Sequence, residues 1–140
     1  MKVFVDSDVV ISSLLSESGA AHFLTYSTNI QPFVSNVSYE EMKIVSERLS
    51  IEKEKLGALL ERRFKEVGLK ENLSEIKNKH ADYVTDPDDA HIVAAASLSK
   101  VEFLITYNQK HFKADKIKND FGIITMKPAL FLQYLRSLEK

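Results

Sequence analysis

The 140-residue sequence contains no cysteine. Disulfides and thiolate ligands are therefore excluded, and any metal must be held by oxygen or by histidine nitrogen. Tryptophan is absent too, and four glycines with three prolines are too few for a collagen-like or Pro/Gly-rich disordered chain. No apolar run approaches the roughly 18 residues that suggest a membrane span. Met1-Lys2 leads straight into an apolar stretch without a signal-peptide pattern, so a soluble, cytoplasmic protein with no membrane partner is expected. An excess of one charge sign is also missing, since 19 basic and 20 acidic side chains give a formal net charge of -1. The chain as a whole does not attract nucleic acid, and any RNA or DNA contact must come from a local basic patch. What the chain does have is 44% hydrophobic residues, enough for one buried core, and a single domain over residues 1–140 is expected.

The run Val3-Phe4-Val5 stops abruptly at Asp6-Ser7-Asp8. It is short and β-branched, which predicts a buried parallel strand with Asp6 at its carboxyl end. Ligands of open α/β sheets bind in the crevice outside those ends, so Asp6 is a site candidate. Asp8 has two readings, a second site acid or the N-cap of the following helix. Helices are expected over 9–15 and from Ser18-Gly19 through Leu24, with a strand at Gln31-Pro32-Phe33-Val34 between them and the next helix. Pro32 marks that strand as brief or at an edge. Ser35 or Asn36 caps a helix reaching Leu49, and Ser50 caps another over Ile51 to Val67 that Gly68 stops. The polar stretch from Leu69 to Tyr83 leaves Leu73-Ser74-Glu75-Ile76 open as a short strand or a helical turn. Asp86-Pro87-Asp88-Asp89 opens a small-residue helix over Ala90 to Leu98, Phe103-Leu104-Ile105 and Ile123-Ile124 are strands, and a helix from Pro128 to Leu138 ends the pattern. Strands separated by helices predict an α/β protein with parallel pairing and right-handed crossovers.

Several acids stand where apolar residues belong. In the helix after Ser35, Val37, Glu41 and Val45 are four apart and share a face, whereas Glu40 aligns with Lys43, Ile44 and Glu47. Glu41 is therefore expected toward the core, where a carboxylate needs a hydrogen-bond network, a cation or a metal. The alternative is a place at the edge of the stripe. Asp86, Asp88 and Asp89 all suit a helix start, with Pro87 at the first helical position. The small side chains of Ala90 to Ala96 let that helix approach the sheet closely, which makes at least one of these acids a site candidate. His91 is read as facing away. After Phe103-Leu104-Ile105, Thr106 and Asn108 offer neutral oxygens and Lys110 a positive charge, again directly beyond a buried strand. Oxygen donors drawn from Asp6, Glu41, Asp89 and the Thr106-Asn108 turn suit Mg2+ or Mn2+ better than zinc.

Four segments in this order, VFVDSD, SNVSYEEM, DPDDAHIVAAA and LITYNQKHF, resemble the motifs of the PIN-domain family, and the chain is similar to the ribonuclease toxins of prokaryotic toxin-antitoxin pairs. The resemblance implies a three-layer α/β/α fold with a central, mainly parallel sheet of four or five strands. It also implies a metal-dependent endoribonuclease acting on RNA, a cognate antitoxin as partner, and a homodimer. Carried onto these motifs, Asp6, Glu41 and Asp89 are the catalytic acids and the ligands of Mg2+ or Mn2+. Asn108 stands where many relatives have a further acid and would offer only an amide oxygen to the metal, while His111 stands where another acid is often found. A second cation should then bind less tightly, unless Asp86, Asp88 or Asp115 compensates. Asp8 and Thr106 are supporting residues, and Lys110 is the substrate-binding candidate. Arg62, Arg63 and Lys65 are read first as a solvated helix face. Two rival readings stand beside the nuclease. One is a degenerate PIN domain that binds RNA or protein without cutting, motivated by Asn108 and His111. The other is a haloacid dehalogenase-like phosphatase, which Asp6-Ser7-Asp8-Val9-Val10 also resembles but which leaves Glu41 and LITYNQKHF without a role.

Overall fold

The computed structural model describes residues 1–139. Its strands are β1 (Lys2–Val5), β2 (Gln31–Ser35), β3 (Lys65–Val67), β4 (Phe103–Ile105) and β5 (Ile124–Met126). The helices are α1 (Ser7–Leu15), α2 (Ala20–Thr25), α3 (Asn36–Arg48), α4 (Lys53–Arg63), α5 (Leu73–His80), α6 (Ala90–Ser99), α7 (Ala114–Phe121) and α8 (Pro128–Leu138). The strands form one parallel sheet in the order β3-β2-β1-β4-β5. Successive side chains of a strand point to opposite faces, and the core divides accordingly. Val3, Val5, Val34, Phe103 and Ile105 pack under helices α1 to α4 and α8, while Phe4, Phe33 and Leu104 pack under α5, α6 and α7. Burial on both faces is why β1 and β4 read as unbroken apolar runs.

The chain leaves β1 toward β2 and β3 on one side, then returns to build β4 and β5 on the other. The sheet order therefore switches direction between β1 and β4. At such a switch point the two strands' connections diverge and open a crevice at their carboxyl ends.

Three expectations are corrected. Pro32 lies in an inner strand, not at an edge. The Gln31 amide donates to Met1 across to β1, so by alternation the Pro32 nitrogen faces the β3 side, where pairing begins only at Phe33 opposite Lys65. No ladder donor is lost there. Residues 51–67 are not one helix: α4 ends at Arg63, and 65–67 form the edge strand β3, so Gly68 stops no helix. Ser50 adopts a left-handed conformation after α3, with φ 58, and Glu52 takes the N-cap position of α4. At α3 the choice falls on Ser35, whose Oγ accepts from the Ser38 amide. Asn36 instead clamps Leu69, its amide donating to the Leu69 carbonyl and its oxygen accepting from the Leu69 amide. That clamp fixes the polar stretch beyond β3, and Leu73 to Ile76 then falls inside α5, capped by Asn72.

Candidate active site

Asp6 follows the last residue of β1, and Thr106 the last residue of β4. The Asp6 amide donates to Ile105 and the Thr106 amide to Met126, so both residues continue the ladder and are fixed by it. Their side chains meet at the switch point, where Thr106 Oγ1 donates to Asp6 Oδ2 at 2.8 Å. Asp6 Oδ1 accepts from the Ser7 amide at 2.7 Å. Asp6 rather than Asp8 is thus the N-cap of α1. Asp8, in the first turn of α1, ties that helix to the turn beyond β4, accepting from the Tyr107 amide and from the Asn108 side-chain nitrogen at 2.9 Å. Asn108 in turn donates its backbone N–H to Thr106 Oγ1.

Burial dominates the electrostatics. It raises the Asp6 carboxyl to about 7, reinforced by the negative charge of Asp8 and, more weakly, of Asp89, against the opposing hydrogen bonds from Thr106 and Ser7. Burial also raises Asp8 to about 6. Asp89, at the end of the turn Pro87–Asp89 that leads into α6, is likewise raised by burial, and His111 partly opposes the shift. His111 Nδ1 lies 3.4 Å from Asp89 Oδ2. Asp86 caps that turn by accepting from the Asp88 amide, and Asp88 pairs outward with Lys77 at 2.7 Å. Of the three acids of this turn, Asp89 is the one in electrostatic reach of Asp6 and Asp8.

Glu41 does not point into the core. The buried residues of α3 are Ser38, Met42 and Ser46, one position out of phase with the apolar stripe, and the Glu41 side chain is 49% exposed. It lies at the rim, near enough to Asp89 to raise that carboxyl slightly. His91 does not face away either. It is buried within α6, all of whose residues from Ala90 to Ala96 are buried, and its Nε2 lies 3.0 Å from Glu41 Oε1. A polar residue in a helix apolar all round is a buried residue; that signal was available in the sequence.

Lys110 is exposed on the turn Gln109–His111. With Tyr107, Asn108, Gln109, His111 and Lys127 it lines a cavity of about 220 Å³, two of whose lining residues reach the acids, Asn108 bonding Asp8 and His111 lying near Asp89. Arg63 belongs elsewhere, donating to the carbonyls of Thr25 and Ser27 at 2.9 and 2.7 Å. It is a structural tie between the end of α4 and the turn after α2. Lys65 stands on β3.

Among the described residues no Lys, Arg or His is paired with Asp6 or Asp8, and Asp8 Oδ1 is buried without a hydrogen-bond partner. Two neighbouring carboxylates with no cation beside them, one carrying a buried oxygen without a partner, fit a hard divalent cation in their chemistry. No group of three or more His, Asp or Glu side chains is gathered as a ready ligand set among the described residues. The fit is therefore to an ion that keeps much of its water, as Mg2+ does when one or two carboxylates hold it.

A parallel α/β sheet with acids collected at its switch point defines the class, and comparison supplies the family. The sequence profile of the PIN domain matches residues 2–110, and the chain belongs to the PIN-domain family. No curated protein sequence matches it significantly. Among solved structures it is similar to a chain of a toxin-antitoxin complex from Klebsiella pneumoniae, with TM-score 0.66 and 20% identity over 90% of this chain and 97% of that one. It is also similar to a chain of VapBC2 from Rickettsia felis bound to a promoter DNA fragment, with TM-score 0.58 and 14% identity over 91% and 98%. A third likeness is to VapC20 of Mycobacterium tuberculosis, a toxin cleaving the sarcin-ricin loop, with TM-score 0.52 and 16% identity over 85% and 95%. At these identities the likeness is one of fold.

Proposed function

We propose that the protein is a Mg2+- or Mn2+-dependent endoribonuclease that hydrolyses phosphodiester bonds in single-stranded RNA, working in the cytoplasm as the toxin of a toxin-antitoxin pair. The observation that carries this reading is Asp6, a buried carboxylate at the switch point, raised to about 7 by burial and by acid neighbours and paired with no side-chain cation among the described residues. Asp6, Glu41 and Asp89 would hold the ion, one or two of them directly and the rest through its waters, and Asn108, whose amide nitrogen is engaged by Asp8, has its amide oxygen left to offer. What such an ion supplies when bound is Lewis acidity toward the phosphodiester and a lowered pKa for water in its shell. Thr106 and Asp8 orient the acids, Thr106 by its bond to Asp6 and Asp8 by anchoring the β4 turn. Lys110 and Lys127 on the cavity rim bind backbone phosphates, and the exposed Tyr107 ring offers a surface for stacking a base.

The test is cleavage of a labelled single-stranded RNA by the purified protein with Mn2+, blocked by EDTA. Asp6→Asn and Asp89→Asn should each abolish cleavage while circular dichroism shows the fold retained; wild-type rates in both would refute the reading.

A second reading, a PIN domain that binds RNA or a protein without cutting, draws on Asn108 and on the absence of a gathered ligand set among the described residues. Mn2+ titration by calorimetry separates the two, because a domain that takes up no metal at millimolar concentration is the binding module. The phosphatase alternative finds no support in the family match. As partners we propose a cognate antitoxin and a second copy of this chain. Two of the similar solved structures are toxin-antitoxin assemblies, and an apolar hollow of about 370 Å³ lined by Ile11, Leu15 and Val45 adjoins Asp8. Co-purification with the product of a neighbouring small gene, and light scattering for mass, test these two partners.

A further inference from the structure

We propose that His91 is a positioning residue of the acid cluster, holding the Glu41 carboxylate from beneath so that it can meet a divalent cation. The proposal rests on the metal-site reading above and extends it to a residue outside the acid set. His91 is the second residue of α6 and only 4% exposed, and neither of its ring nitrogens has a hydrogen-bond partner among the described residues. The polar atom that Nε2 does approach is Glu41 Oε1, on a different helix, at 3.0 Å, with a geometry short of a true hydrogen bond.

An imidazole surrounded by a helix of alanines and aliphatic residues is unfavourable unless its N–H is used. An alanine or leucine at that position would serve packing as well, so the ring is explained by what it touches. Glu41, in contrast, is half-exposed and long enough to sample several rotamers. An N–H pointing up from the core would capture Oε1 and leave Oε2 facing the cleft, toward Asp89. A neutral imidazole already supplies that one N–H, so the arrangement needs no change of protonation. Fixing a ligand carboxylate by a buried donor is how metal sites gain orientation beyond their direct ligands.

The experiment is Mn2+ affinity of the full chain, read by electron paramagnetic resonance, for wild type, His91→Leu, His91→Gln, Glu41→Gln and the double variant Glu41→Gln/His91→Leu. His91→Leu should weaken binding by about 10- to 100-fold, the range for loss of such a partner. His91→Gln should restore most of it, because its amide nitrogen reaches the place of Nε2. In the Glu41→Gln background the leucine should change little. Unchanged affinity in His91→Leu, or an equal loss with and without Glu41, overturns the proposal. So does 14N coupling to bound Mn2+ that disappears with the ring, since it would make His91 a direct ligand. If His91→Leu does not fold, His91→Asn closes the same cycle, its shorter amide standing in for Nδ1 and missing Glu41. Asp6→Asn and Asp89→Asn serve as controls. If they leave Mn2+ affinity intact, the metal-site reading falls and this proposal with it; if they abolish it while His91→Leu does not, the His91 assignment alone is wrong.

Discussion

Thr106 Oγ1 and Asp6 Oδ2 lie 2.8 Å apart although 100 residues separate them in sequence. The same hydroxyl accepts the Asn108 amide, so one threonine serves the acid of β1 and the turn beyond β4 at once. Thr106→Val keeps the shape and removes both bonds. Leaving a buried carboxylate oxygen without its donor should cost about 1–3 kcal/mol, and Thr106→Ser should recover most of the loss. Urea unfolding of the metal-free protein measures it; a valine variant as stable as wild type would show that the bond contributes nothing.

Acid titration gives a second expectation. The Asp6 carboxyl has an ordinary value of 3.8 and sits at about 7 in the fold, so between those limits the folded state holds a proton that the unfolded chain has released. Stability is then greatest below about pH 4 as far as this group is concerned, and is lost as pH rises through 7. Asp8, raised to about 6, adds a loss of the same sign over a narrower window. The metal-free protein should melt several degrees lower at pH 8 than at pH 5. Asp6→Asn should flatten that slope, and Mn2+ at pH 8 should reverse it by binding the folded state. Calorimetry in EDTA and in Mn2+ checks all three, and a melting temperature independent of pH in EDTA counts against a protonated Asp6.

Asn108 stands 2.9 Å from Asp8 through its side-chain nitrogen. Asn108→Asp removes that donor and sets a carboxylate against a carboxylate. The metal-free variant should lose on the order of 1 kcal/mol at pH 8, while its Mn2+ affinity rises about tenfold, equivalent to about 1.4 kcal/mol. The opposite signs are the diagnostic feature. Unchanged or weaker metal affinity would place Asn108 outside the site.

These relationships were unequally visible in the sequence, for reasons that particular residues make plain. Asp6 and Thr106 were legible because each ends a short run buried on both faces of the sheet, so the change from apolar to polar coincides with the strand's end. Strand β3 was hidden: Lys65 and Glu66 are exposed and directly follow a well-patterned helix, and its pairing to β2 carries no side-chain signature. The phase of α3 was misread because two of its three buried residues, Ser38 and Ser46, are small and polar. Ser38 is accommodated by Ser35 at the cap. An apolar count sees Val37 and Val45 instead and rotates the helix by one residue, which carried Glu41 from the rim to the core. His91 is buried and not turned away, because the alanine run around it leaves that helix no solvent-facing side.

The basic residues provide a final contrast. Arg63 donates to the carbonyls of Thr25 and Ser27, which closes the turn after α2 onto the end of α4. Arg63→Ala should therefore cost about 1.5–3 kcal/mol, the range for hydrogen bonds to a charged group. Lys110 is exposed beside the acids and makes no ion pair among the described residues, so Lys110→Ala should leave stability within about 0.5 kcal/mol of wild type. RNA binding should respond in the reverse sense. In an Asp6→Asn background that keeps the RNA intact, Lys110→Ala should lower affinity and reduce the slope of log K against log salt by about 0.7, the release expected for one single-strand phosphate contact. Arg63→Ala should leave that slope alone. Fluorescence anisotropy of a labelled single-stranded RNA across a salt series reads both variants together. A slope that moves with Arg63 and not with Lys110 would put the RNA on the far edge of the sheet, away from Asp6.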